Sequence, residues 1–250
     1  MERGERAAGL PRWVVAKPLS GKAVFALWSR VVDEILSRIG FAVCHQLPGH
    51  TLSFGGRLMP LCARCTGIYA GLFFTVLLLL ALGRVRRTQL PPVLAVALGV
   101  GFFAAMAADA FSALLGWRET NNALRLATGV LTGIALLTLG LPLANSTVRE
   151  LGGIEAIILS SGEFTIISVT GLALTLFAQV SSLYFFKAFS MISVIGLIVF
   201  LLGINSIPLA GFLKGKWQFW IVPGSLALSA GELVLLAVFH RWLLRMLGSV

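Results

Sequence analysis

From residue 66 onward the chain alternates between apolar blocks near 20 residues long and short breaks rich in Gly, Pro or charge. As a helix rising about 1.5 Å per residue, a block of that length crosses about 30 Å of hydrocarbon. The pattern predicts six spans, at about 66–83, 92–115, 123–144, 164–186, 188–211 and 219–240. The first closes at Gly83 and the run Arg84, Arg86, Arg87; the second follows Pro91-Pro92 and ends at Gly116. Between the third and fourth lies a polar stretch with Asn145, Arg149, Glu150 and Glu163, and its apolar piece at 154–159 is too short to cross.

Residues 23–43, "AVFALWSRVVDEILSRIGFAV", follow a different rule. At about 100° per residue, Val24, Trp28, Val31, Val32, Ile35 and Ile39 share one face. Arg30, Asp33 and Ser37 lie opposite, with Glu34 and Arg38 at the polar flank. Arg30–Glu34 and Glu34–Arg38 are spaced to pair along the helix. Four charges mid-span would cost several kcal/mol, so the segment is expected as an amphipathic helix, either in the membrane interface or packed on the bundle. The fold class expected is therefore all-α: a polytopic membrane helix bundle of about six spans with an N-terminal amphipathic helix. The chain divides into a basic tail (1–22) without an apolar leader region, a first membrane unit (23–144) and a C-terminal three-span region (145–250).

Composition supports this division. The 250 residues are 58% hydrophobic and 12% charged, and the mean hydropathy is +0.93. A soluble domain carries about a quarter charged residues. In such a chain the formal charge of +10 points to loop topology and anionic lipid head groups rather than to nucleic acid. Six crossings place both ends on one side. That side collects more Lys and Arg, so the termini and the segment before the first span are expected in the cytoplasm of an inner or plasma membrane. Gly67-x-x-x-Gly71 and Gly129-x-x-x-Gly133 are spaced to let two helix backbones approach closely in lipid.

All three cysteines and two of the three histidines fall in "CHQLPGHTLSFGGRLMPLCARCTG", residues 44–67. "PGH" and "FGGR" are turn-forming and can fold this segment on itself. Cys44, Cys62 and Cys65 with His45 or His50 would make a Cys₃His set suited to zinc, although a second C-x-x-C is missing. Two other readings remain for the same residues. Cys62-x-x-Cys65 at a helix start is a low-pKa dithiol arrangement suited to redox chemistry, and small buried cysteines can simply pack. The order of spans brings the loop "GWRETNN" and Arg125 to the same membrane face. Asp109 lies about 10 Å below that mouth. A carboxylate so deep faces the bundle interior or a wet cavity, and Arg125 is its expected partner, either as a structural pair or as part of a ligand site.

The segment "CHQLPGHTLSFGGRLMPLCARCTGIYAG", with Asp109 and "NNALRLATGVLTG" downstream, resembles a prokaryotic membrane family known as domain of unknown function 2085. The likeness covers about residues 41–135 and rests on Cys-His-Gln, Pro-x-Cys-Ala-Arg-Cys-Thr-Gly-Ile-Tyr, Asp, and Asn-x-x-Arg. It implies a unit made of Cys44, His45, Gln46, Pro60, Cys62, Arg64, Cys65, Thr66, Gly67, Tyr69, Asp109, Asn122, Arg125, Thr128 and Gly129. His50 departs from that pattern, which favours His45 as the ligand. The resemblance implies no activity.

The chain has no phosphate-binding P-loop, no H-E-x-x-H and no nucleophile elbow. The function expected is a juxtamembrane zinc or iron site made by Cys44, His45, Cys62 and Cys65. It would sit over a polar pocket in which Arg64, Asn122 and Arg125 bind a ligand and Asp109 and Arg125 are the candidates for any catalysis. A membrane thiol-disulfide oxidoreductase using Cys62 and Cys65 is the first alternative. A small-solute or lipid transporter with a structural metal is the second, and Asn205-Ser206 before Pro208 is the place where a broken helix would support it.

Overall fold

A computed structural model describes residues 21–54, 56–148, 153–180, 183–213 and 219–246. Residues 1–20 of the expected basic tail lie outside that set, as do Arg149 and Glu150. The elements are α1 (Gly21–Val43), β1 (Thr51–Phe54), β2 (Arg57–Cys62), α2 (Ala63–Ala81), β3 (Arg87–Gln89), α3 (Val93–Leu114), α4 (Asn122–Val148), β4 (Gly153–Ala156), α5 (Ser161–Val180), α6 (Leu183–Phe212) and α7 (Ile221–Met246). The architecture is a helix bundle, as the hydropathy pattern predicts. Among the described residues α2, α3, α4, α6 and α7 are long and apolar enough to cross a membrane.

The fourth expected span is the shorter apolar helix α5. Its ends nevertheless touch opposite faces of the bundle. At its start Glu163 pairs with Arg84, just past α2. Beyond its end, Phe186 of α6 packs against Phe54 of β1 with the rings tilted and their centroids 6.2 Å apart. Among the described residues α5 ends at Val180 and α6 starts at Leu183, several residues before the expected boundary at 186. Ser160 starts α5 by accepting the Glu163 N–H at 3.0 Å, while the Glu163 carboxylate accepts the Leu159 N–H at 2.7 Å. These bonds satisfy donors that every helix start leaves open.

The centre of the bundle is the α2–α4 pair. A methyl group added at Gly67 would strike the Leu126 carbonyl, and one at Gly129 would strike the Arg64 carbonyl. Gly71 meets Val130 and Gly133 meets Ile68 in the same way. Both glycine motifs therefore work as their spacing predicts: the two backbones touch where lipid offers no hydrophobic drive for association. On the face far from the cysteines, β3 and β4 pair in parallel, and the Asn145 amide donates to the Val85 and Arg87 carbonyls at 2.9 Å each.

α1 joins the two expected behaviours. Its C-terminal half packs on the bundle through Leu36, Ile39 and Val43, beside Leu61 and Val194. Its stripe of Val24, Leu27, Trp28, Val31 and Ile35 remains exposed, as an apolar face turned to lipid would be. α7 returns to the same end of the bundle, where His240 Nδ1 lies 2.7 Å from the Phe41 carbonyl and the two rings stack at 4.4 Å. Within the membrane, Asn205 of α6 donates to Glu232 at 2.8 Å and Ser229 at 3.1 Å on α7. Because α6 is unbroken through Asn205, Ser206 and Pro208, there is no discontinuous helix at that position.

Candidate functional site

The cysteine segment is built on a hairpin. After Val43 a single 3₁₀ turn (Pro48–His50) leads into β1, and β2 returns antiparallel with Thr51 opposite Cys62. This register carries Cys62 back beside Cys44. The Cys62 N–H donates to Cys44 Sγ at 3.2 Å. Cys62 also occupies the N-cap position of α2, without a side-chain cap bond, where the helix dipole favours negative charge.

Gln46 closes the hairpin against α1. Its backbone lies in the left-handed region, at φ 47°, which is uncommon for a residue with a side chain. From there its amide donates to the Ser37 carbonyl at 2.9 Å and the Pro60 carbonyl at 2.7 Å. Gly40 allows the approach, since a methyl there would strike the Pro60 carbonyl. The Gln of Cys-His-Gln is thus a clamp that sets the distance between the two halves of the cysteine segment. Its role could not be read from the sequence, because both acceptors are backbone carbonyls.

The ligand atoms of Cys44, His45 and Cys62 lie within 4.8 Å of one another. The two thiols are buried and the imidazole is exposed. Cys65, in the first turn of α2, stands outside that group of three. His45 Nδ1 lies 3.8 Å from Cys44 Sγ, and its Nε2 lies 3.5 Å from His50 Nδ1. His50 therefore backs His45 rather than replacing it. Hydrogen bonding from Cys44, and then from Cys65, holds the Cys62 thiol far below its ordinary range. The bond shared with Cys62 pushes Cys44 up. Burial, followed by the Arg125 charge, lowers His50. Cys62 is the sulfur placed at the α2 start, where the positive helix end favours a thiolate.

The polar mouth lies alongside. Asp109 is 3% exposed. Arg64 bonds one of its carboxylate oxygens. Arg118 bonds the other at 2.6 Å, and the Thr120 hydroxyl donates to that same oxygen at 2.7 Å. Here the structure corrects an expectation. Arg125, buried one turn into α4, does not bond Asp109; it donates to Asn122 Oδ1 at 3.2 Å. The Asn122 amide in turn donates to the Thr51 carbonyl at 3.3 Å, tying α4 to the hairpin. Arg125 sits one turn below the loop that crosses over Asp109, and Arg118 in that loop reaches the carboxylate first. Arg118 and Thr120 belong to "GWRETNN", which the order of spans had brought to this face without giving either residue a partner.

Two guanidinium groups, those of Arg64 and Arg118, thus converge on one carboxylate, with Arg125 held by Asn122 instead. Arg64 is the link between the two halves of the site, because it stands between Cys62 and Cys65 in sequence and reaches Asp109 in space. Its Nε is a buried side-chain donor with no partner among the described residues.

A family profile described as "Predicted membrane protein (DUF2085)" matches residues 44–139, the interval that holds the cluster, the mouth and the α2–α4 contact. An "Uncharacterized protein" of Methanothermobacter thermautotrophicus is 43% identical over 97 residues, which are 39% of this chain and 83% of that protein. "Uncharacterized protein MJ1492" of Methanocaldococcus jannaschii is 32% identical over 103 residues, 40% of this chain and 63% of that protein, so the chain spans just under two thirds of this second relative. No solved structure matches the chain. The likeness in both relatives has the length of the Cys/His unit, and the chain belongs to the family of predicted membrane proteins with domain of unknown function 2085.

Proposed function

We propose that this membrane protein holds a transition metal, zinc or iron, at Cys44, His45, Cys62 and Cys65, and that Arg64 and Arg125 offer an anionic ligand a place beside it. The observation that carries the metal is the convergence of Cys44, His45 and Cys62 within 4.8 Å, from positions that hairpin and helix bring together. Thiolate and imidazole donors in this number suit zinc, and iron is the other metal they serve. Cys65 supplies the fourth donor from the first turn of α2. His45 would bind through Nδ1, which faces the thiols, with His50 orienting the ring from the other nitrogen as outer partners of metal-bound histidines do.

The ligand part rests on charge. Arg64 and Arg118 share the Asp109 carboxylate, Arg125 bonds only the neutral Asn122 amide oxygen, and Arg64 Nε has no partner among the described residues. A bound carboxylate or phosphate would balance this excess, and the planar guanidinium suits both. Among the described residues more Lys and Arg lie at the end of the bundle that carries α1 and the end of α7 than at the other end, which supports a cytoplasmic orientation of the cluster.

Metal analysis of detergent-purified protein tests the reading. About one zinc or iron per chain, lost in Cys62→Ser, supports it; metal-free protein overturns it. A second reading has one observation in its favour: Cys62 stands at the N-cap position of α2, where the helix dipole favours a thiolate, with Cys65 in the same first turn. A metal-free protein whose Cys62 and Cys65 close a reversible disulfide, with two electrons and two protons passing to an acceptor, would point to a thiol oxidoreductase.

A further inference from the structure

A cavity of about 500 Å³ lies in the half of the bundle away from the Cys/His cluster. Its size is that of a small-molecule site, about 300–1,000 Å³. Leu72 of α2, Leu137 and Gly140 of α4, and Phe200 and Gly203 of α6 line it, with Arg86 at its rim. The two glycines create the space: a methyl group added to either would meet nothing within 4 Å.

Arg86 differs from the two arginines beside it. Arg84 is paired with Glu163 and Arg87 with Glu155. Arg86 is exposed and makes no ion pair or hydrogen bond among the described residues. The turn that carries it is held in place by the Asn145 amide, which grips the carbonyls on both sides at Val85 and Arg87. A guanidinium with no charge partner among the described residues therefore stands on a held turn at the edge of a mainly apolar groove.

We infer that this groove is a binding site for an anionic phospholipid. One acyl chain would lie against Gly140 and Gly203, and the phosphate would pair with Arg86. The lining matches hydrocarbon, the rim matches a phosphodiester, and guanidinium binds phosphate through two parallel N–H groups. Basic pockets between spanning helices recognise anionic head groups by the same chemistry. The site is independent of the metal centre, which lies at the other end of the bundle.

Native mass spectrometry of the full chain tests the inference, with phosphatidylglycerol and phosphatidylcholine of the same acyl composition as probes. The wild type should retain one phosphatidylglycerol at least about tenfold more strongly than phosphatidylcholine. Arg86→Gln should abolish that preference and leave weak binding of both. The double variant Gly140→Leu, Gly203→Leu fills the groove and should lose the bound lipid. Leu137→Trp narrows the same groove without altering either glycine, and should lose it as well. Equal retention of the two lipids by the wild type would overturn the inference. So would an undiminished phosphatidylglycerol adduct in whichever groove-filling variant melts like the wild type, since the lipid would then be on the outer surface only.

Discussion

The Cys62 N–H donates to Cys44 Sγ at 3.2 Å across 18 residues of chain. This bond joins the end of α1 to the start of α2 and passes through no other side chain. It makes Cys44 both a candidate ligand and the acceptor that positions its neighbour. Cys44→Ala should therefore lose bound metal, with affinity falling by at least about 10–100-fold. Cys44→Ser, which keeps an acceptor, should lose metal yet melt closer to the wild type. Elemental analysis paired with thermal melting in detergent reads both outcomes.

Gln46 predicts an effect on the same centre without touching it. Gln46→Ala removes two donors from the Ser37 and Pro60 carbonyls and should cost about 1–3 kcal/mol. The hairpin would then swing from α1, and metal affinity should fall although every ligand remains. Competition with a chelator measures this. Unchanged affinity would mean that the hairpin is held by β1–β2 pairing alone.

Asp109 and Arg118 share a bond but not an environment. Asp109 has 2% of its side chain exposed, against 46% for Arg118. Asp109→Ala leaves Arg64 and Arg118 without their anion and should destabilise the protein by about 3–5 kcal/mol. Arg118→Ala leaves the carboxylate with Arg64 and Thr120 and should cost about 1 kcal/mol or less. Arg125→Ala should loosen the contact of Asn122 with Thr51 and leave the Asp109 cluster in place. Melting temperatures of the three variants, compared side by side, decide the order.

The α2–α4 contact supplies the fourth prediction. Gly133→Ala would place a methyl on the Ile68 backbone and should cost about 1–3 kcal/mol through forced separation of the helices. Gly101→Ala, on α3, meets nothing within 4 Å and should be neutral or slightly stabilising. Detergent melts that failed to separate the two substitutions would refute the backbone contact.

Much of this was legible along the chain because its causes are local. Spanning helices announce themselves by length and hydropathy, and the Gly spacing of α2 and α4 by its period. The amphipathic face of α1 was visible too, although not its division into a packed half and an exposed stripe. The candidate site was legible as a location: the order of spans put the cysteine segment, "GWRETNN" and Arg125 on one face. The parallel pairing of β3 with β4 was not legible, since it joins short segments separated by two full spans.

The sequence by itself determined which residues sit at which membrane face, because crossing hydrocarbon is a condition that each segment meets with its own side chains and its own backbone hydrogen bonds. Only the tertiary structure decided which of those residues touch. Asp109 found Arg64 and Arg118 rather than Arg125, and Gln46 became a clamp, because partner choice depends on how each helix is rotated about its axis and on where a loop folds over its end. Those quantities come from packing among distant segments, and no local pattern of residues carries them.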